Sequence, residues 1–409
     1  MLKITVLYHI LMGLTVLYLI YCCRPPRFGI KFCFYSFTGI LLALIYAVFI
    51  GDTGAFAYEI PNRPNGQYTV APLFSNLRLF AQGVFIEGSL FLFGSFLQIY
   101  FRTAGNRSQK WKKGAIPFFL AIAAVLTGID SMLIEPTALQ VKTTVIRSEK
   151  ITKPIKIAFI TDPQMDLVGK YEERAFQTVK DLNADLILLG GDYIQFSRSS
   201  VEKDLTVYQA FKGKHGKARD LGGELNALLR RIDLSAPLGC FAIAGKKYER
   251  EWGNDLFKNT NIKMMPDTKT VEIGEDLLLT CIDPITCWKN ERKDFLTPDQ
   301  KKSGKFHLIL GHCPDFATAF PDGDLLLAGH THGGQIRIPF FGALFINTSK
   351  LPRRYGSGHS RLTDPETGRE IDLIVSNGTG MERGMGPRIR FCCLPDIWCI
   401  EIIPAKNRD

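Results

Sequence analysis

Four apolar runs beyond residue 150 of this chain each stop at a carboxylate or an imidazole, which restricts the fold to an α/β sheet with inner strands. Lys156-Ile157-Ala158-Phe159-Ile160-Thr161 ends at Asp162, Leu186-Ile187-Leu188-Leu189-Gly190-Gly191 at Asp192, and Phe306-His307-Leu308-Ile309-Leu310-Gly311 at His312. The fourth run, Asp324-Leu325-Leu326-Leu327-Ala328, leads into Gly329-His330-Thr331-His332-Gly333-Gly334-Gln335. Runs that stay apolar without alternating read as strands covered on both faces. Open α/β sheets place their ligands beyond the carboxyl ends of such strands. Two carboxylates and three imidazoles converging there would be costly to bury without a cation.

The two histidines at 330 and 332 carry the chemical signal. Imidazoles separated by one residue on a sharp loop can turn into one site, and first-row divalent metals favour that ligand. The flanking glycines permit the tight backbone a packed site needs. Asp162, Asp192, His312, His330 and His332 are therefore the expected metal ligands.

The order of these elements resembles the calcineurin-like metallophosphoesterases, over roughly residue 137 to the C-terminus. Asp162, then Gly191-Asp192, a strand ending at Gly245, then His312 and Gly-His-Thr-His-Gly-Gly-Gln carry the likeness. Val375-Ser376-Asn377-Gly378-Thr379-Gly380, Pro387-Arg388-Ile389-Arg390-Phe391 and Pro395-Asp396-Ile397 make it closest to a membrane-associated bacterial branch. The resemblance implies a four-layer α/β/β/α sandwich and hydrolysis of phosphodiester or pyrophosphate bonds. It also implies two metals at the strand ends, one held by Asp162, Asp192, His332 and residue 164. The other would take Asp192, His312, His330 and residue 246. A loop, Arg353-Arg354-Tyr355-Gly356-Ser357-Gly358-His359, corresponds to a segment beside the cleft and implies substrate contact by Arg354.

Three positions depart from the family pattern. Gln164 stands for a histidine ligand, Lys246 for an asparagine ligand, and Lys247 for the histidine that protonates the leaving group. The Gln164 carbonyl can serve as a weak ligand. An ammonium within ~4 Å of a dication repels it by several kcal/mol even at an effective dielectric near 20. One divalent ion (Mn, Fe, Zn or Mg) is therefore expected rather than two, with Lys246 supplying part of the missing charge and contacting substrate. Lys247 becomes a candidate acid or phosphate-oxygen contact. A catalytically silent relative that binds a phosphorylated ligand or partner is the other reading.

The first half is different in kind. Residues 4–21, 32–50, 83–101 and 116–134 are apolar blocks of about the ~20 residues that span a bilayer, so a four-helix membrane domain over 1–136 and a phosphoesterase domain over 137–409 are expected. Residues 1–150 hold 14 Lys and Arg against 6 Asp and Glu, so most of the net charge of +10 lies there. Little excess is left to recruit nucleic acid to the folded domain. Basic residues gather in the first and third loops between blocks, which places those loops in the cytoplasm and the domain on the periplasmic or extracellular side. The partners expected are the membrane and a phosphorylated small-molecule or lipid substrate.

Ten cysteines include no pair of CxxC motifs, which argues against a zinc ribbon. Cys240 and Cys281 sit in strand-like runs and read as small core residues, and Cys313 follows the candidate ligand His312. The glycine-broken basic run 212–219 reads as surface, or as a lid touching anionic headgroups.

Overall fold

A computed structural model describes residues 71–195, 221–246, 249–289, 294–343, 345–382 and 389–405. The predicted spans 4–21 and 32–50, the basic run 212–219 and Lys247 lie outside those residues. The chain divides between Ile134 and Glu135 into two compact units.

In the first unit, α1 (Ala71–Arg102) and α2 (Arg107–Ile129) form an antiparallel-connected pair. The Asn106 side chain accepts the Gln109 N–H at 3.0 Å and so starts α2. A Cβ at Gly114 would meet the Phe96 ring, and one at Gly128 would meet Phe85, so small residues allow the helices to approach closely. Phe96 also packs against Trp111 and Phe118, with ring centroids 5.2 and 4.8 Å away. Predicted span 83–101 falls inside α1, and 116–134 inside α2 with its π-turn continuation Asp130–Ile134. Among the described residues one helix, Arg107–Thr137, is long and apolar enough to cross a membrane. Its most apolar stretch is 22% buried, where a soluble core helix would be mostly buried. Of the four expected spans, that one has this support.

The second unit holds two six-stranded sheets. The first orders β1 (Gln140–Ser148), β14 (Asp396–Pro404), β2 (Ile155–Ile160), β3 (Leu186–Leu189), β4 (Cys240–Ile243) and β5 (Ile262–Met265). The second orders β12 (Gly358–Thr363), β13 (Glu370–Val375), β9 (Leu325–Ala328), β8 (Phe306–Leu310), β7 (Leu277–Cys281) and β6 (Lys269–Ile273). Each centre is parallel, β2 to β5 in one sheet and β7, β8, β9 and β13 in the other.

Period-two alternation distributes the side chains of every inner strand between two cores. Ile157, Phe159, Leu186 and Leu188 meet Leu308, Leu310, Leu325 and Leu327 between the sheets. Ala158, Ile160, Ile187 and Leu189 face α3 (Lys170–Asp181) and α4 (Leu221–Ile232) through Phe176, Val179, Leu225 and Leu229. On the far side, Ile309, Leu326 and Leu373 pack on Cys287 and on Phe316 of the 3₁₀ turn Pro314–Ala319. The layers thus run helix, sheet, sheet, helix. The inner strands of both sheets are buried on both faces, which is why they read as unbroken apolar runs. Cys240 and Cys281 lie buried in the core, as expected.

Candidate metal centre

Backbone pairing continues past the strand ends and brings the polar residues together. The Asp162 N–H donates to Gly191 O at 3.0 Å and Gln164 N–H to Asp192 O at 2.8 Å, so the loops after β2 and β3 run side by side. The Gly329 N–H donates to His312 O at 3.0 Å, which joins the loops after β8 and β9. Across the sheets, the His330 N–H donates to Asp162 Oδ2 at 2.8 Å, and His312 Nδ1 bonds Gly190 O at 2.8 Å. A Cβ at Gly329 would collide with the Asp162 carboxylate, and one at Gly245 with that of Asp192, so these glycines are required by close approach.

Strain marks the same spot. Asp162, Gln164, Asp192, His330 and His332 all take left-handed backbone, with φ of 51°, 36°, 56°, 67° and 50°. Each such residue costs of order 1–3 kcal/mol, and such residues cluster at functional sites.

Six buried polar atoms here have no hydrogen-bond partner: Asp162 Oδ1, Gln164 Oε1, Asp192 Oδ1, His312 Nε2, His330 Nε2 and His332 Nδ1. Leaving a buried polar atom unpaired costs roughly 1–3 kcal/mol, so such a cluster is unfavourable unless a partner meets several of these atoms. Asp162 Oδ1 lies 3.8 Å from His312 Nε2 and 3.7 Å from His332 Nε2, and His312 Nε2 lies 3.6 Å from Asp192 Oδ2. These gaps are too long for hydrogen bonds. They approach the roughly 3.4 Å that separates two ligands of a tetrahedral ion at ~2.1 Å. Carboxylate oxygen with imidazole nitrogen is the donor set of first-row divalent ions, and the Nδ1 bond of His312 to a backbone carbonyl aims its Nε2 as metal-bound histidines are aimed. The residues fit a divalent cation. Asp192, His312 and His330 form the tightest set, with ligand atoms within 4.8 Å of one another. That is the set the resemblance gives to the second ion, the one Lys246 was expected to exclude.

Two of the three altered positions, Gln164 and Lys246, both contact the Asp192 carboxylate. Gln164 is buried and gives its Nε2 to Asp192 Oδ2 at 2.9 Å. Lys246 Nζ lies 2.9 Å from the same oxygen. Burial opposes the charged form of Asp192, yet Lys246, His312 and His330 hold its carboxyl well below the usual range. Burial likewise opposes a charged His312, but Asp192 and Asp162 overcome it and raise the imidazole to about 9. Burial and the neighbouring His312 push His330 down to about 4, and burial lowers His332. Lys246 is thus a cation that directly offsets the Asp192 carboxylate. Arg354 is not drawn in the same way: its guanidinium stacks over the Tyr355 ring at 4.6 Å and donates to that hydroxyl. Its loop does reach the site through Thr331 Oγ1, which donates to Gly356 O at 2.7 Å.

Sequence reasoning misses two supports. Glu249, at the start of α5 (Glu249–Leu256), is buried and accepts the N–H groups of Asp192, Tyr193 and Gly245 at 3.0, 2.8 and 2.7 Å. It therefore fixes the turn that presents Asp192. Trp288, on α6 (Pro284–Lys289), sets its ring edge-on to His330 with centroids 4.9 Å apart and remains 41% exposed, a wall at the mouth of the cluster. Arg390, quoted above only as part of a motif, is fully buried and donates to the carbonyls of Asn377, Gly378, Gly380 and Cys393.

No family model matches the chain. Curated relatives do, and they carry metallophosphoesterase or phosphodiesterase names. The chain is 25% identical to "Phosphodiesterase YaeI" of Escherichia coli over 54% of its own length and 70% of that protein's. It is 26% identical to an "Uncharacterized metallophosphoesterase" of Helicobacter pylori, over 72% of this chain and 71% of the relative. A metallophosphoesterase of Campylobacter jejuni is 23% identical over 70% and 68%. These names support a metal-dependent phosphoesterase in general.

Proposed function

We propose that this is a membrane-anchored, metal-dependent phosphoesterase that cleaves a phosphodiester or pyrophosphate bond in a lipid-linked or envelope substrate. The observation that carries the reading is the cluster of six buried, unpartnered oxygen and nitrogen atoms at the ends of strands from both sheets. Asp162, Asp192, His312, His330 and His332 hold one divalent ion, with the Gln164 oxygen as a weak further ligand. Bound there, the ion lowers the pKa of a water and offsets charge on the phosphoryl oxygens.

The chain's own residues do the rest. Lys246, paired with Asp192, takes the place of a second ion's charge and meets a substrate oxygen. Lys247, next in sequence, serves as the acid for the leaving group or as a second cation over the phosphate. Glu249 keeps the Asp192 turn rigid, and Trp288 bounds the entry. The helices belong to a multi-pass anchor, and the phosphoesterase domain lies on the periplasmic or extracellular side. Outward-facing Ile116, Phe119, Leu126 and Leu133 on the apolar helix support a lipid environment.

The Lys246–Asp192 ion pair also favours a second reading, in which the altered cluster binds a phosphorylated ligand without turnover. Full-length protein in detergent with manganese, assayed on an activated phosphodiester, separates the two. Turnover that Asp192→Asn abolishes supports the enzyme. Turnover only after Gln164→His, Lys246→Asn and Lys247→His together supports the silent binder.

A further inference from the structure

The hairpin that follows the two-histidine loop ends in an apolar tip. β10 (Arg337–Ile338) pairs with β11 (Gly342–Ala343), and Pro339, Phe340 and Phe341 make the turn. Phe340 is fully exposed, Phe341 is 77% exposed, and Ile338 and Phe345 are open beside them. Phe340 takes φ of 69°, a conformation that bulky L-residues avoid. The turn therefore holds this ring in solvent at a backbone cost. Scattered single apolar residues on a surface are ordinary, but a cluster at a projecting tip marks an interaction site.

Charge identifies the partner. Residues 336–363 contain Arg337, Lys350, Arg353, Arg354 and Arg361 and no carboxylate, in a domain whose charges are otherwise nearly balanced. Lys350, Arg353 and Arg354 are exposed. Arg361 is paired with Glu370 and Asp372, but aromatic rings followed in sequence by the exposed Lys350, Arg353 and Arg354 suit the headgroup–acyl boundary of an anionic bilayer, where rings seat at the interface and basic side chains meet the headgroups. A stable protein interface would need roughly 20–30 residues a side, far more than this tip offers. The chain also carries a helix apolar enough to cross a bilayer.

We propose that Ile338, Phe340, Phe341 and Phe345 form a membrane-docking tip that seats in the surface of an anionic bilayer, with Arg337, Lys350, Arg353 and Arg354 on its headgroups. This rests on the phosphoesterase reading for its purpose. His332 and Arg337 are five residues apart, so a docked tip presents a lipid-linked phosphoester to the adjoining site. Hydrolysis needs water alone as co-reactant.

The test uses the full-length chain in anionic lipid nanodiscs, with Phe340→Trp and Phe341→Trp made separately and the wild-type emission subtracted. Docking predicts a blue-shifted added signal that is quenched when the acyl chains are brominated, since an interfacial side chain reaches the headgroup–acyl boundary. Emission at the position of hydrated tryptophan, quenched by iodide and indifferent to brominated lipid, overturns the proposal. So does a signal that shifts with protein concentration instead, since a second copy or another protein would then cover the tip. The readout does not depend on turnover. A chain that passes it yet binds no metal loses the enzymatic reading and keeps the docking.

Discussion

On the proposed reading, Lys246 sets how many ions the cluster accepts. Its ammonium takes the Asp192 oxygen that the resemblance assigns to a bridging role, and it brings no amide oxygen of its own. Lys246→Asn removes the repulsion and supplies that oxygen, so calorimetric titration with manganese should show two ions per chain in place of one. An unchanged stoichiometry would mean that Lys246 is not what limits binding. Glu249 acts one step further out. Glu249→Ala leaves three buried N–H groups without an acceptor, costing about 3 kcal/mol or more. It should also weaken metal binding about 10–100-fold, the usual effect of losing a ligand's support. Denaturant melts and the same titration measure both, and a full loss of stability with unaltered affinity would reduce Glu249 to a structural residue. The ligand candidates were legible because each ends an apolar run. Glu249 was not, because one carboxylate after Gly-Lys-Lys-Tyr has no periodic mark and its role depends on contacts 57 residues away in sequence.

At the scale of elements, the inner strands declared themselves by continuous apolar sequence, whereas their order did not. β14 lies between β1 and β2, pairing parallel with one and antiparallel with the other. That insertion is a long-range pairing no local pattern encodes. The strands also bury a titratable group away from the cluster. His307 on β8 bonds Thr280 Oγ1 at 2.7 Å and Asp322 O, and burial holds its imidazole below the ordinary 6.5. A depressed folded pKa means the unfolded chain takes up the proton first as pH falls. The stability it contributes is therefore whole above about pH 6.5 and is lost as pH drops through the folded value. Thermal melts of wild type and His307→Gln across pH 5 to 8 should converge toward the acid end, since the variant lacks this proton uptake; parallel curves would assign the acid sensitivity elsewhere.

Over the whole molecule, composition divides the chain as the structure does, an apolar and basic N-terminal part ahead of a nearly neutral α/β unit. Of four apolar blocks legible in sequence, two fall on helices of the described residues and one of those helices meets the requirements of a span. The hairpin tip escaped sequence reading because its phenylalanines sit in a run that looks like any short strand, and only their exposure sets them apart. The cluster at the strand ends carries the proposed chemistry. Metal content of the purified full-length chain, read by plasma mass spectrometry after dialysis against metal-free buffer, tests it most directly. The account predicts one divalent ion per wild-type chain and almost none in an Asp192→Asn variant with an unchanged circular dichroism spectrum. Equal metal content in the two proteins, or none in either after manganese loading, would contradict it.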